Sequence, residues 1–271
     1  MLIQYKGVKN SMPEVIWNMK IQELFQKADD YKDLINRNRP FNSEQLLELD
    51  NYFRVGFTYS SNSIDGNTLT LTETKLLLED GITVGGKPIK DYYEASGHAQ
   101  AYDYMLAVAR TEQLDITEDI IKKLHYLFYH KLDQEEAGQY RKDQIYISGM
   151  EFLPPKAEEV PHFMEHFINQ MHSSKRFLHP IEFAAICHKR FVDIHPFKDG
   201  NGRTARLLMN LILVNAGYGI TSIPPVLQNE YSSALIKSQR ENNPNIDTFI
   251  ELITECVIEA ERDYCRLLRI K

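Results

Sequence analysis

Residues 195–206 read HPFKDGNGRTAR, a stretch that brings a histidine, an aspartate, two glycines and two arginines close together. Pro196 and Gly200 interrupt helical periodicity, and apolar residues recur at helical spacing again over residues 204–215. Residues 200–202 are therefore predicted to form a loop that leads into the N-terminus of a helix. Because the residues before Pro196 also have helical periodicity, the stretch predicts two helices joined by a short loop.

This loop combines groups that bind anions with a base. The free N–H groups and the positive dipole end of a helix N-terminus attract an anion such as phosphate. Arg203 and Arg206 add two guanidinium groups on neighbouring positions of the same helix. Asp199 offers a hard oxygen ligand for Mg²⁺, and His195 offers a base that is partly neutral near physiological pH. Transfer of a phosphorus group from a nucleotide requires such a set of groups.

Three other motif assignments fail on their structural context. Residues 200–205 match the dinucleotide-binding fingerprint, but that fingerprint follows a strand, and residues 183–194 have helical periodicity instead. The P-loop pattern occurs nowhere in the chain. His188, His195 and Asp199 lack a further ligand at the spacing of a zinc site.

The segment HPFKDGNGR resembles the signature of the Fic family, His-Pro-Phe-x-Asp/Glu-Gly-Asn-Gly/Lys-Arg, at every fixed position. The resemblance implies an all-α, Fic-type fold and transfer of AMP from ATP to a Ser, Thr or Tyr hydroxyl of a target protein, with Mg²⁺ bound by Asp199 and His195 as the catalytic base. The residues expected to contact ATP are Asp199, Gly200, Asn201, Gly202, Arg203, Thr204, Ala205, Arg206, Ile147, Ser148, Gly149, Tyr231 and Gln239. Tyr231 and Gln239 flank the adenine according to this resemblance.

Residues 144–153 interrupt the helical pattern. Residues 144–147, QIYI, are rich in β-branched and aromatic residues, and Ser148-Gly149 is a turn signal. Residues 152–153 supply a second short strand, so the segment predicts a β-hairpin. An exposed strand edge can pair with an extended peptide. In the Fic family the matching hairpin is the flap, which implies a target protein that presents an extended, hydroxyl-bearing segment beside the active-site loop.

Residues 61–67, SNSIDGN, resemble the inhibitory motif of the family, Ser/Thr-x-x-x-Glu-Gly/Asn, in which the glutamate pairs with the second arginine of the signature. The matching residues in this chain are Ser61, Asp65, Gly66 and Asn67. The resemblance implies autoinhibition through Asp65 and Arg206. Because aspartate is one methylene shorter than glutamate, we expect a longer, weaker or water-mediated contact. An Asp-Gly-Asn turn without a regulatory role is the alternative interpretation.

Other activities of the same fold stay open at this point. A de-AMPylase removes AMP from a modified protein. A kinase-like phosphotransferase uses the same fold, but the sequences of that kind have lysine where this chain has Gly202. A non-enzymatic nucleotide-binding module is a further alternative, against which the intact His195 and Asp199 argue.

Composition favours a globular enzyme. The chain has 271 residues, of which 43% are hydrophobic and 25% charged. The net charge of −7 argues against nucleic-acid binding. The three cysteines lack a metal-like spacing and predict reduced thiols in a cytoplasmic protein, and no segment is apolar enough to predict membrane insertion. Two further hypotheses are that the protein modifies itself and that it forms a homodimer.

Helical signals dominate the remaining chain. Thr70 with Glu73 predicts a capping box, and Thr117 predicts a helix N-cap. Apolar periodicity predicts further helices over residues 91–110, 158–172 and 246–268.

We expect two parts in the chain. Residues 1–50 form an N-terminal helical segment of unknown role. Residues 51–271 form the Fic-like domain, which includes the inhibitory motif (61–67), the flap (144–153) and the C-terminal helices.

Overall fold

A computed structural model describes residues 12–146, 153–239 and 245–271. The regular structure of these residues is helical, without a strand, which confirms the all-α fold class. In chain order the α-helices are α1 (Met12–Arg37), α2 (Ser43–Ile64), α3 (Leu71–Lys75), α4 (Ile89–Ala109), α5 (Glu118–Tyr129), α6 (Val160–Ser174), α7 (Pro180–Ile194), α8 (Asn201–Asn215), α9 (Gln228–Ser238) and α10 (Asp247–Leu267). Helix α3 continues into a π-helical turn at Leu76–Asp80.

Side-chain caps set several helix starts. Thr70 and Glu73 form the predicted capping box at the start of α3. Thr117 accepts a hydrogen bond from the N–H of Ile120 at the start of α5, also as predicted. Gly81 has φ of 68°, a left-handed conformation that suits glycine, and it ends the π-helical turn.

Helix α8 lies inside the molecule. Every side chain from residue 203 to residue 213 is buried, because α2, α4, α5 and α7 all pack against this helix. It starts at Asn201, three residues before the start of the apolar periodicity at Thr204. The first two turns of α8, which carry Arg203 and Arg206, are therefore held within the fold rather than at its surface.

The N-terminal helix belongs to the same core. Ile21, Phe25 and Ala28 of α1 are buried in the main hydrophobic cluster, and α1 packs against α10. The boundary expected after residue 50 falls within α2, which continues unbroken from Ser43 to Ile64. A division of the chain at this point would cut through a helix.

Only part of the predicted hairpin, residues 144–153, lies within the described residues. Residues 144–146 and 153 are described and have no strand conformation, and residues 147–152 lie outside the described residues. The ATP contacts expected at Ile147, Ser148 and Gly149 therefore also lie outside them.

None of the helices in the described ranges combines the length and the apolar composition needed to span a bilayer.

Candidate active site

The loop between α7 and α8 has two residues in left-handed conformation. His195 follows the last residue of α7 with φ of 50°, and Gly200 precedes α8 with φ of 75°. Asn201 closes the loop, because its side chain accepts from the N–H of Phe197 at 2.9 Å and donates to the Phe197 carbonyl at 2.8 Å. The Asn201 amide thus holds the loop in shape.

His125 of α5 packs against this loop. No sequence motif indicated that His125 belongs to the site. Its Nδ1 accepts from the N–H of Gly138 at 2.8 Å, so Nε2 carries the proton and donates to the Asp199 carbonyl at 3.0 Å. Its ring stacks on Phe197 at 3.8 Å between centroids. Burial lowers the pKa of His125 to about 4, which keeps this arrangement neutral.

The N-terminus of α8 suits an anion. Gly200 is the N-cap residue, and no side chain within the described ranges caps the helix, so the first-turn N–H groups suit a ligand. A Cβ atom at Gly200 would lie 2.7 Å from the ring of Phe128. A Cβ atom at Gly202 would lie 3.1 Å from Nη1 of Arg206. Both glycines therefore allow close packing around the start of α8.

His195 is prepared to accept a proton. Its Nδ1 lies 3.3 Å from the Val192 carbonyl, which can only accept, so Nδ1 carries the hydrogen and Nε2 is the unprotonated nitrogen that can accept a proton. Burial lowers the pKa of His195 to about 4, and the positive charge of Arg141 adds to the lowering. The imidazole is therefore neutral at physiological pH, as a general base must be.

Arg206 of α8 contacts residues of the 61–67 segment, which resembles the inhibitory motif of the family. The fully buried guanidinium donates from Nε to Ser61 Oγ at 2.9 Å, and from Nη2 to the Ser61 carbonyl and to Asp65 Oδ2, both at 2.7 Å. Nη1 lies 3.4 Å from the hydroxyl of Tyr231. Burial alone would lower the pKa of Arg206, but the charge of Asp65 and the hydrogen bonds raise it overall. The pairing of Asp65 with Arg206 is direct, so the expectation of a longer or water-mediated contact was wrong.

Asp65 also contacts the first arginine of the signature. The residue follows the end of α2, and Gly66 turns the chain away with φ of 91°. Asp65 Oδ2 lies 3.2 Å from Nε of Arg203. One carboxylate oxygen therefore stands between the guanidinium groups of Arg203 and Arg206.

Glu94 of α4 is a site residue that no motif indicated. Its side chain is buried, Oε1 lies 2.9 Å from Nη1 of Arg203, and Oε2 accepts from Asn67 at 2.9 Å. It thereby joins Asn67, the last residue of the 61–67 segment, to Arg203 of α8. A single acidic residue in a helix carries no sequence signal for a partner so distant in the chain.

The other predicted contacts are placed as follows. The hydroxyl of Thr204 donates to the Gly200 carbonyl at 3.0 Å, and Ala205 is fully buried. Tyr231 is buried between Arg206 and His188. Gln239 donates to Asp193, two residues before His195, at 2.7 Å.

Asp199 is a single carboxylate. It is 47% exposed, and its Oδ1 accepts from the N–H of Gly200 at 2.6 Å and lies 3.5 Å from Arg203 Nη2. Within the described ranges, no group of three or more His, Cys, Asp or Glu side chains is arranged to hold a metal ion. Because Mg²⁺ commonly binds through one or two carboxylates together with nucleotide phosphates, Asp199 fits a Mg²⁺ ion that arrives with ATP.

Comparison with known proteins agrees with this geometry. The model of the Fic/DOC family matches residues 115–213, which include α5, α6, α7 and all but the last two residues of α8. A Fic-domain-containing signalling protein from Bacteroides thetaiotaomicron is 30% identical, with a TM-score of 0.80, over 92% of this chain and 97% of its own. The chain belongs to the Fic/DOC family. The resemblance of residues 195–203 to the Fic signature is thereby confirmed.

Two further relatives extend the Fic comparison. Fic-1 from C. elegans is 27% identical with a TM-score of 0.84, over 95% of this chain and 74% of that one. The Drosophila virilis protein named Protein adenylyltransferase Fic is 36% identical over 232 residues, which are 84% of this chain and 46% of that protein. This Fic chain thus spans about half the length of the curated relatives that it matches.

Proposed function

We propose that this chain is a protein adenylyltransferase that moves AMP from ATP to a Ser, Thr or Tyr hydroxyl of a target protein. The observation that carries the proposal is a neutral His195 beside an uncapped helix N-terminus with two buried arginines. Curated relatives from Drosophila bear the name Protein adenylyltransferase Fic, which supports the same activity.

The residues divide the work of AMP transfer among them. Nε2 of His195 accepts the proton of the target hydroxyl while the hydroxyl oxygen forms a bond to the α-phosphorus of ATP. The bond from that phosphorus to the pyrophosphate oxygen breaks, and pyrophosphate leaves with the bonding electron pair. Arg203, Arg206 and the first-turn N–H groups of α8 stabilise the negative charge of the phosphates.

Asp199 would hold Mg²⁺ together with the phosphates. When bound, the ion neutralises phosphate charge. Tyr231 and Gln239 are the proposed contacts of the adenine, and Ile147, Ser148 and Gly149 are the proposed flap contacts. Thr204 and Ala205 remain proposed neighbours of the nucleotide through their place in α8, since the N–H and the hydroxyl of Thr204 both donate to the Gly200 carbonyl and Ala205 is fully buried.

Asp65 is proposed to inhibit the enzyme by occupying its phosphate-binding groups. It contacts Arg203 and Arg206 at once, at 3.2 and 2.7 Å. ATP must displace this carboxylate before both guanidinium groups can bind phosphate. Inhibition therefore acts on the pose of the nucleotide rather than on His195.

Labelled ATP tests the proposed activity. The Asp65→Gly variant is incubated with a lysate of candidate targets and with ATP labelled at either the α- or the γ-phosphate. We expect α-label on protein that depends on His195, and the same assay without lysate measures self-modification. γ-Label on protein would instead indicate a kinase, and release of AMP from pre-modified protein without new labelling would indicate a de-AMPylase. ATP binding without either reaction would indicate a binding module.

A further inference from the structure

Arg141 is buried without being part of any motif. It lies between α5 and α6, in a stretch without regular secondary structure, and only 2% of its surface is exposed. The ion pairs of the described residues do not include Arg141. Burial lowers the pKa of its guanidinium group. None of the described residues gives Arg141 a carboxylate partner, and burying a cation without one costs free energy, so its hydrogen bonds to the main chain call for an explanation other than stability.

The side chain of Arg141 donates to three main-chain carbonyl groups. Nε donates to His195 at 2.9 Å, Nη1 to Asp143 at 3.1 Å and Nη2 to Pro155 at 2.5 Å. Its main-chain N–H donates to the Pro196 carbonyl at 2.9 Å. These acceptors belong to three separate parts of the chain. A planar guanidinium holds its donors in fixed directions, so it can bind all three side by side, whereas an ammonium group is a compact point charge.

The three carbonyl groups have different places in the proposed reaction. One belongs to His195, whose left-handed φ of 50° is uncommon for a residue with a side chain. The other two belong to Asp143 and Pro155, which flank the segment proposed to hold the target. A buried carbonyl left without a donor is costly, so loss of the guanidinium would release these groups from their present positions.

We propose that Arg141 is a positioning residue that holds His195 and both ends of the flap segment in one frame, so that a target hydroxyl meets Nε2 of His195. The inference rests on the proposed adenylyltransferase function. Arg141 contacts neither the anion-binding turn of α8 nor Asp65 in the hydrogen bonds of the described residues, so its effect is separable from nucleotide binding.

Two substitutions separate the shape of the side chain from its charge. Arg141→Met removes both the donors and the charge, and Arg141→Lys keeps the charge but not the planar fork. Arg54→Met is the matched control, because Arg54 donates from Nε and Nη2 to Asp103, each at 2.8 Å, away from the active site. All three are made in the Asp65→Gly protein. Thermal unfolding, ATP affinity by calorimetry, and kcat and KM for a labelled target are measured.

We expect Arg141→Met to lower kcat by about 10- to 10²-fold and to raise KM for the target, with ATP affinity unchanged. Arg141→Lys should lose less, but clearly more than Arg54→Met. The imidazole signals of His195, followed by NMR during a pH titration, give an independent readout. The pKa of His195 should rise in Arg141→Met, because a positive charge is removed, and it should stay close to the parental value in Arg141→Lys.

Parental kcat and KM in Arg141→Lys would show that charge alone matters and would overturn the positioning role. An equal loss in Arg54→Met would overturn it as well, since the effect would then be one of general stability. If the Asp65→Gly protein itself transfers no α-label, the adenylyltransferase proposal fails first. In that case the NMR spectrum still tests whether Arg141 positions His195. Imidazole signals of His195 that are unchanged in both Arg141 variants would contradict the inference.

Discussion

A single carboxylate oxygen of Asp65 reaches two arginines, because the residue sits directly after the end of α2 and faces the first turns of α8. The sequence was sufficient to pair Asp65 with Arg206 through the family motif. It could not supply the distance, since the approach of α2 to α8 depends on packing by residues far from either motif. The shorter side chain is therefore compensated by backbone position.

Replacing Asp65 by glycine should raise AMP transfer. The substitution removes the carboxylate that competes with the phosphates for Arg203 and Arg206, and a regulatory contact of this kind is typically worth ~5- to 150-fold. α-Label incorporation at saturating ATP measures the change. Arg206→Ala is the control and should lose activity with or without Asp65→Gly. Parental labelling by the Asp65→Gly variant would reduce the motif to a structural turn.

The Asp65→Glu substitution tests whether the length of the side chain at this position suits its contacts with Arg203 and Arg206. Asp65 already makes direct contacts, and it lies close to Gly202, since a Cβ atom added to Gly202 would be only 3.3 Å from Oδ1 of Asp65. We therefore expect Asp65→Glu to leave inhibition equal or weaker. Tighter inhibition in the same labelling assay would mean that the aspartate contact is incomplete.

His195→Ala should abolish transfer while ATP affinity is kept, because the proposed role of the imidazole is to act on the target hydroxyl and not on the phosphates. We expect a loss of at least ~10²-fold, the usual scale for a general base. The pKa of His195 lies at about 4, below its ordinary value of 6.5, so the neutral form persists as the pH falls through the ordinary value. The His195-dependent part of kcat/KM should therefore decline only as the pH approaches 4, and a midpoint near 6.5 would contradict the lowered pKa.

For the secondary-structure elements, local sequence rules predicted the helix caps better than the exact helix starts. The caps at Thr70 and Thr117 are set by side chains within the same turn, which is why they could be predicted from the sequence. Helix α8 starts before its apolar periodicity, since its first turn is held by the loop and by buried arginines rather than by an apolar face. The π-helical turn after α3 has no sequence rule comparable to a cap.

Two helical glycines offer a matched test of helix packing. A Cβ atom at Gly97 of α4 would lie 2.3 Å from the main-chain oxygen of Phe128, so α4 and α5 would have to separate. A Cβ atom at Gly56 of α2 would meet nothing within 4 Å. Gly97→Ala should therefore destabilise the protein by about 1–3 kcal/mol, and Gly56→Ala should stabilise it by up to ~1 kcal/mol.

Urea unfolding of both variants measures these changes. A Gly97→Ala protein as stable as the parent would show that α4 and α5 are not in such close contact. A Gly56→Ala protein less stable than the parent would contradict the open space beside α2.

Considering the whole molecule, the candidate site depends on residues that belong to no recognisable sequence motif. Glu94, His125 and Arg141 come from different parts of the chain and act on Arg203, Asp199 and His195 in turn. A signature motif specifies the groups that meet the nucleotide. It does not specify which buried side chains hold those groups, because such partners are chosen by tertiary packing and are drawn from ordinary helical or loop sequence.

The connection after α8 is tied to the C-terminal helix by a buried carboxyl group. Glu261 of α10 accepts from the N–H of Gly219 at 2.5 Å, and Ile220 donates to the hydroxyl of Tyr264 at 3.2 Å. Burial raises the pKa of Glu261 to about 7, although the Gly219 hydrogen bond and the charges of Lys32 and Arg39 oppose the rise. The ionised form is thus disfavoured in the folded protein.

The pH dependence of stability follows from this raised pKa. Between pH 4.5 and about 7, Glu261 is ionised in the unfolded chain and protonated in the folded one, so its contribution to the free energy of unfolding falls as pH rises. Glu261→Gln keeps an acceptor for Gly219 and removes the titration. The variant should gain stability over the parent progressively across that window, reaching on the order of 3 kcal/mol and then levelling off. Urea unfolding of both proteins from about pH 4 to about pH 8 measures the difference, and parallel curves would show that Glu261 titrates normally in the fold.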